Sequence, residues 1–190
     1  SVCFPNPVHT EIERRRKLFL ESDRVLCILS SEVGLDSSHF EQSVLSKLEH
    51  PKTIKMLRME PVLGREEESA FDFANFSDLV GRFLPSLQSI SITHMNIKNF
   101  DLRNLTTLRS LELTDPQMKN QVWNLELPEL RSLSMQNHTP PEDAFARSLI
   151  QCPRIEEYFS HKYWNRDDLP NLFLPSCKKF TWRRGDCTER

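Results

Sequence analysis

The sequence predicts an α/β solenoid, a stack of coils with a parallel sheet along a concave side and helices or irregular segments on the convex side. Three observations point there. The pattern apolar-x-x-apolar-x-x-apolar-x-apolar occurs at Leu84, Leu87, Ile90 and Ile92, at Leu105, Leu108, Leu111 and Leu113, and at Leu127, Leu130, Leu133 and Met135. Its starts at 84, 105 and 127 lie 21 and 22 residues apart, and a near-constant period of this size marks a repeat architecture. Degraded copies follow at Cys152, Ile155, Tyr158 and Ser160 and at Leu174, Cys177, Phe180 and Trp182. The apolar-x-apolar that closes each copy has the two-residue alternation of a strand with one face turned inward. One coil cannot bury that face alone, so coils must stack and set their strands side by side.

In chain order, residues 1–24 read as an N-terminal helical cap or linker and 25–190 as the repeat domain, with the clearest repeats over 84–182. Leu26 and Ile28 mark a first strand. Ser38, His39, Phe40 and Glu41 form a capping box, in which Ser and Glu side chains satisfy each other's backbone donors; Phe40, Val44, Leu45 and Leu48 then give one helical face. Pro51, Ile54, Leu57 and Met59 supply the next copy. Phe73, Phe76, Val80, Phe83 and Leu84, behind the acidic Glu66, Glu67 and Glu68, predict a helix over 66–83. The stretches 96–104 and 115–126 are too short or too broken for long helices, so coils thin there. Thr139 to Glu142 starts another helix, with Pro140 and Pro141 where backbone donors are unpaired anyway, continuing through Phe145, Leu149 and Ile150.

Composition excludes several function classes. With 190 residues, 38% of them hydrophobic, the chain has one ordinary domain's worth of core. No run approaches the ~20 apolar residues of a membrane-spanning helix, so no membrane insertion is expected. Lys and Arg number 25 against 27 Asp and Glu, a net charge of −2, which argues against a general nucleic-acid binder. Four glycines leave little from which to build a phosphate loop. Five cysteines make no disulfide scaffold; Cys27, Cys152 and Cys177 are expected as core thiols, and a reducing compartment, cytoplasmic or nuclear, is favoured. The set Cys152, His161, Cys177 and Cys187 contains no C-x2-C anchor, so neither metal nor cofactor is expected.

The stretch from Leu102 through Leu105, Leu108 and Leu111 to Leu113 resembles a leucine-rich repeat, and the resemblance covers roughly 51–182. Leu127-Pro128-Glu129-Leu130, Cys152-Pro153-Arg154-Ile155 and Leu174-Pro175-Ser176-Cys177 are similar to the irregular repeats of F-box/leucine-rich-repeat proteins. That resemblance implies a solenoid that holds a substrate protein for ubiquitin ligation. The chain departs from the family at Met95, Pro116 and His138, where regular repeats carry an asparagine, and it shows no F-box.

The non-inward strand positions define where a partner would sit. Their columns hold Met56, Arg58 and Glu60; Ser89, Ser91 and Thr93; Ser110, Glu112 and Thr114; Ser132, Ser134 and Gln136; Glu157, Phe159 and His161; and Lys179, Thr181 and Arg183. Aromatic and Arg side chains anchor interfaces most often. The candidate partner-binding residues are therefore Arg58, Glu112, Gln136, Phe159, His161 and Arg183. No catalytic residue is expected: there is no G-x-S-x-G elbow, and the histidines at 9, 39, 50, 94, 138 and 161 are scattered. The expected function is a non-catalytic module that binds another protein on its concave face. A subunit packed permanently in a larger assembly is the alternative, and an adhesion domain using Arg184-Gly185-Asp186 comes after it.

Overall fold

The computed structural model describes residues 24–29, 41–42, 44–60, 71–115, 124–136, 149–162 and 171–184. Within them the chain is a parallel β-solenoid with little helix. The principal strands are β1 (Val25–Leu29), β2 (Met56–Glu60), β4 (Ser89–Thr93), β6 (Ser110–Thr114), β8 (Ser132–Gln136), β10 (Glu157–Lys162) and β12 (Lys179–Arg184). They form one seven-stranded sheet in the order β1-β2-β4-β6-β8-β10-β12, and every pairing is parallel. The return segments contribute β3 (Phe71–Asp72), β5 (Ile97–Lys98), β7 (Asn124–Leu125), β9 (Leu149–Gln151) and β11 (Asn171–Phe173). These make a two-stranded β3-β5 sheet and a three-stranded β7-β9-β11 sheet.

The repeated pattern explains each coil. Its first two apolar positions make a tight turn in which the second residue's N–H donates to the first one's C=O. Leu87 donates to Leu84 (3.0 Å), Leu108 to Leu105 (3.0 Å), Leu130 to Leu127 (3.2 Å), Ile155 to Cys152 (3.2 Å) and Cys177 to Leu174 (3.2 Å). The strand begins two residues beyond the turn's second apolar position, and its alternate residues enter the core. The register aligns Leu26, Leu57, Ile90, Leu111, Leu133, Tyr158 and Phe180 into one inward row. From Leu57 to Tyr158 each member of that row is buried. Full burial of one such side chain stabilises by about 1.5–3 kcal/mol, and each is covered by neighbours above and below. The next inward row runs Met59, Ile92, Leu113, Met135, Ser160, all buried. Ser160 is the polar exception, and its small side chain offsets the larger ring of Tyr158 two residues earlier on the same strand.

Two helical expectations are corrected. Over 66–83 the described part begins extended: β3 pairs with β5, Phe71 N–H donates to Asn96 C=O at 2.8 Å and Phe73 N–H to Lys98 C=O at 2.9 Å. Those amides are committed to the neighbouring coil and cannot serve a helix. The backbone then turns through Asn75 (φ 61°), and only Phe76–Phe83 is helical, here α1. Phe71, Phe73, Phe76 and Phe100 pack with ring centroids 4.5–5.8 Å apart, so the apolar spacing read as one helix face serves a return-side aromatic cluster instead. At the other site, Leu149 and Ile150 are not the end of a helix but lie in β9, hydrogen-bonded between β7 and β11; residues 139–148 are outside the described set. Of the capping box, residues 38–40 are also outside it, and Leu45–Lys47 is a single 3-10 turn.

Candidate functional site

The open face of the sheet is built by the side chains between the inward rows. Its central column reads Cys27, Arg58, Ser91, Glu112, Ser134, Phe159 and Thr181 across the seven strands. Cys27 therefore lies on this face beside Arg58, not in the core as expected: alternation gives Leu26 to the inside, so its neighbour faces out. Cys152 is a core thiol as expected, 3.7 Å from the Leu125 carbonyl, and burial pushes its thiol up. Cys177 is half-buried at the core's margin.

Each expected partner-binding residue has a definite place. Arg58 is exposed and its Nε lies 3.1 Å from Glu60 on the same strand face. Glu112 is half-buried and accepts a hydrogen bond from the Ser91 hydroxyl at 3.2 Å. Gln136 donates to the Ser134 hydroxyl at 3.4 Å. Phe159 and His161 are half-buried on β10, with His161 in register with Gln136 on β8. Arg183 is in register with His161 on β12; its side chain is outside the described set. The structure thus groups Gln136, Phe159, His161 and the Arg183 backbone at the C-terminal end, while Glu112 lies nearer the centre and Arg58 two strands beyond it.

Around Phe159 the face is hollow. A depression of about 330 Å³ is lined by Ser132, Leu133, Ser134, Gln136, Glu157, Tyr158, Phe159, Lys179 and Thr181. Glu157 and Lys179 approach to 3.9 Å at one margin and stay well exposed, so their attraction is weak. Beneath the floor Tyr158 stacks on Phe180 at 5.0 Å. Its hydroxyl is sealed from solvent and makes no hydrogen bond of standard geometry among the described residues. Burial pushes that hydroxyl well above a free phenol, with the Ser160 side chain acting in the opposite sense.

A second ladder, missed in the sequence, closes the strands of this face. His94 and Asp115, each directly after a strand, have φ of 50° and 48°. Their amides donate to Thr114 and Gln136 carbonyls at 2.8 and 2.7 Å, and their side chains meet at 3.0 Å. Left-handed backbone is tolerated best by Asn, Asp and His outside glycine. The signal was legible as His94, Asp115 and Asn137 recurring at 21 and 22 residues, one position before the place where an asparagine was sought; Asn137 lies outside the described residues. On the return side Asp72 accepts hydrogen bonds from Ala74 N–H (2.9 Å) and Asn99 (3.0 Å), which with Lys98 hold its carboxyl below the usual range. Arg103 does the same for Asp101.

Among the described residues no three His, Cys, Asp or Glu side chains gather as a metal site, and no helix is long and apolar enough to cross a membrane. Cys152 sits in the core while His161 is on the open face, and Cys187 is outside the described set. No protein-family model matches the chain, and neither a curated protein nor a solved structure matches it significantly.

Proposed function

We propose that this chain is a non-catalytic protein-binding module of the leucine-rich-repeat type, an α/β solenoid that holds its partner on the open face of the sheet. One observation carries the reading: the register brings Arg58, Ser91, Glu112, Ser134, Phe159 and Thr181 into a single column on one face of the sheet, with Arg58 exposed, Glu112, Ser134, Phe159 and Thr181 half-buried and Ser91 buried. The small side chain of half-buried Ser134 beside Phe159 lets a partner's backbone approach closely, and the depression there accepts one anchoring side chain. Such anchors in desolvated pockets supply most of the binding energy of an interface. The similarity of its Leu-Pro and Cys-Pro turns to F-box/leucine-rich-repeat proteins suggests a substrate-recognition array.

The test is affinity capture from lysate with the purified chain as bait, comparing the parent with Glu112→Arg and Phe159→Ser. The expected result is that the same captured protein falls at least tenfold with both variants while their melting temperatures hold. Capture that is indifferent to both removes the open face as the contact.

A second reading, a subunit packed permanently in a larger assembly, is favoured by one observation. Phe173 and Phe180, on the edge strands β11 and β12, are 54% and 52% exposed, the largest apolar surface left bare among the described residues.

A further inference from the structure

We infer that the rim where the sheet strands begin is a docking edge for an acidic, extended segment of the partner protein. The inference rests on the protein-binding reading above and gives that partner its chemistry.

The rim is set by a repeated backbone device. The two amides that open each strand coil both donate to one carbonyl of the coil before. Lys55 and Met56 donate to Arg24, Gln88 and Ser89 to Lys55, and Arg109 and Ser110 to Gln88. Arg131 and Ser132 then donate to Arg109, Glu156 and Glu157 to Arg131, and Lys178 and Lys179 to Glu156, all at 2.8–3.0 Å. Because the bond is identical at each step, Arg24, Lys55, Arg109, Arg131, Glu156 and Lys178 stand in one file, with only Gln88 uncharged among them. Adjacent strands lie ~4.8 Å apart.

The charges in that file are segregated beyond what the fold requires. The chain as a whole carries 25 basic against 27 acidic residues, yet five of the six charged members of the file are basic. Arg24 stands beside Lys55 and Arg109 beside Arg131, and like charges directly opposite on neighbouring strands destabilise a sheet. The one carboxylate, Glu156, is shared by Arg131 at 3.3 Å and Lys178 at 3.0 Å. Arg24, Lys55 and Arg109 are exposed and form no ion pair with any described residue. An anion laid along the file would relieve this repulsion, and the cations are already aligned for it.

The occupant is argued from shape. The file is one residue wide and contains Glu156, with Glu129 held by Arg154 at 2.6 Å in the turn just before it. A nucleic-acid backbone needs a broader basic field and would be repelled by those carboxylates. An extended peptide presents alternate side chains to one side every ~6.6 Å, a spacing that long Lys and Arg side chains reach readily, and it can continue from the rim onto the adjoining open face.

The test is fluorescence anisotropy at low salt with a labelled peptide of alternating Glu and Thr, beside an oligothymidylate of equal charge. The expected result is peptide binding weakened by Lys55→Gln and by Arg109→Gln, about two- to fivefold for each charge removed, the range of exposed ion pairs. Glu156→Gln should strengthen it, because Arg131 and Lys178 are released; a merely structural role for these residues would not reverse sign in this way. Preference for the oligothymidylate, no binding of either probe, or binding that ignores all three variants overturns the inference. A negative peptide result while lysate capture still depends on Glu112 and Phe159 overturns the rim alone. The converse, peptide binding with capture indifferent to those two, overturns the open-face reading.

Discussion

The coil at β6 and the coil at β12 carry the same apolar pattern and differ in outcome. Leu111 and Leu113 have a strand on each side and are wholly buried, whereas Phe180, in the same inward row, has β10 on one side only and is 52% exposed. Phe173 shows the same asymmetry on the return side, at the edge of the β7-β9-β11 sheet. An inward residue of a solenoid is thus completed by its neighbours, and identical sequence patterns earn different stabilisation according to their place in the stack.

The largest effect should come from the middle of the stack. Leu111→Ala is expected to cost ~2–5 kcal/mol, the range for truncating a buried Leu, read as the shift in a urea unfolding curve. A cost below 1 kcal/mol would mean that the central coils are not packed from both sides. Phe180→Ala should cost about 2 kcal/mol, roughly half the ~3–5 of a buried Phe, most of it from lost stacking on Tyr158. Size-exclusion chromatography of the same variant bears on assembly: if Phe173 and Phe180 seat a permanent neighbour, the parent self-associates with rising concentration and the variant does so less. A parent that elutes as a monomer throughout rejects the packed-subunit reading. The smallest change is expected at the boundary between the two regions, where Tyr158→Phe should raise stability by up to ~1 kcal/mol, because a buried hydroxyl without a well-made partner costs more than it returns. A loss of ~1 kcal/mol or more would show that the hydroxyl is hydrogen-bonded in solution.

Much of this fold was legible because its information is local and periodic. The positions Leu84, Leu87, Ile90 and Ile92 and their echoes named the inward strand residues, and the open-face columns read from alternation agree with the register where the strands pair. The weak copies at Leu26 and at Cys152 also lead into strands of the main sheet, β1 at its edge and β10 between β8 and β12. The return side was misread. The helix expected over 66–83 holds only for Phe76–Phe83, because pairing with β5 takes Phe71 and Asp72 into a strand; Leu149 and Ile150 sit equally well at a helix end, and pairing with β7 and β11 takes them into β9.

By itself, then, the sequence determined which repeat positions enter the strands' inward rows and which side chains share the open face, because these depend on a period of two within strands and of twenty-odd between them. Tertiary structure alone decided the strand identity of the return segments, the hollow at Phe159 and the file of cations along the rim. Each of these arises from residues twenty or more positions apart brought within hydrogen-bonding distance by the stacking of coils, a relation that no single window of sequence contains.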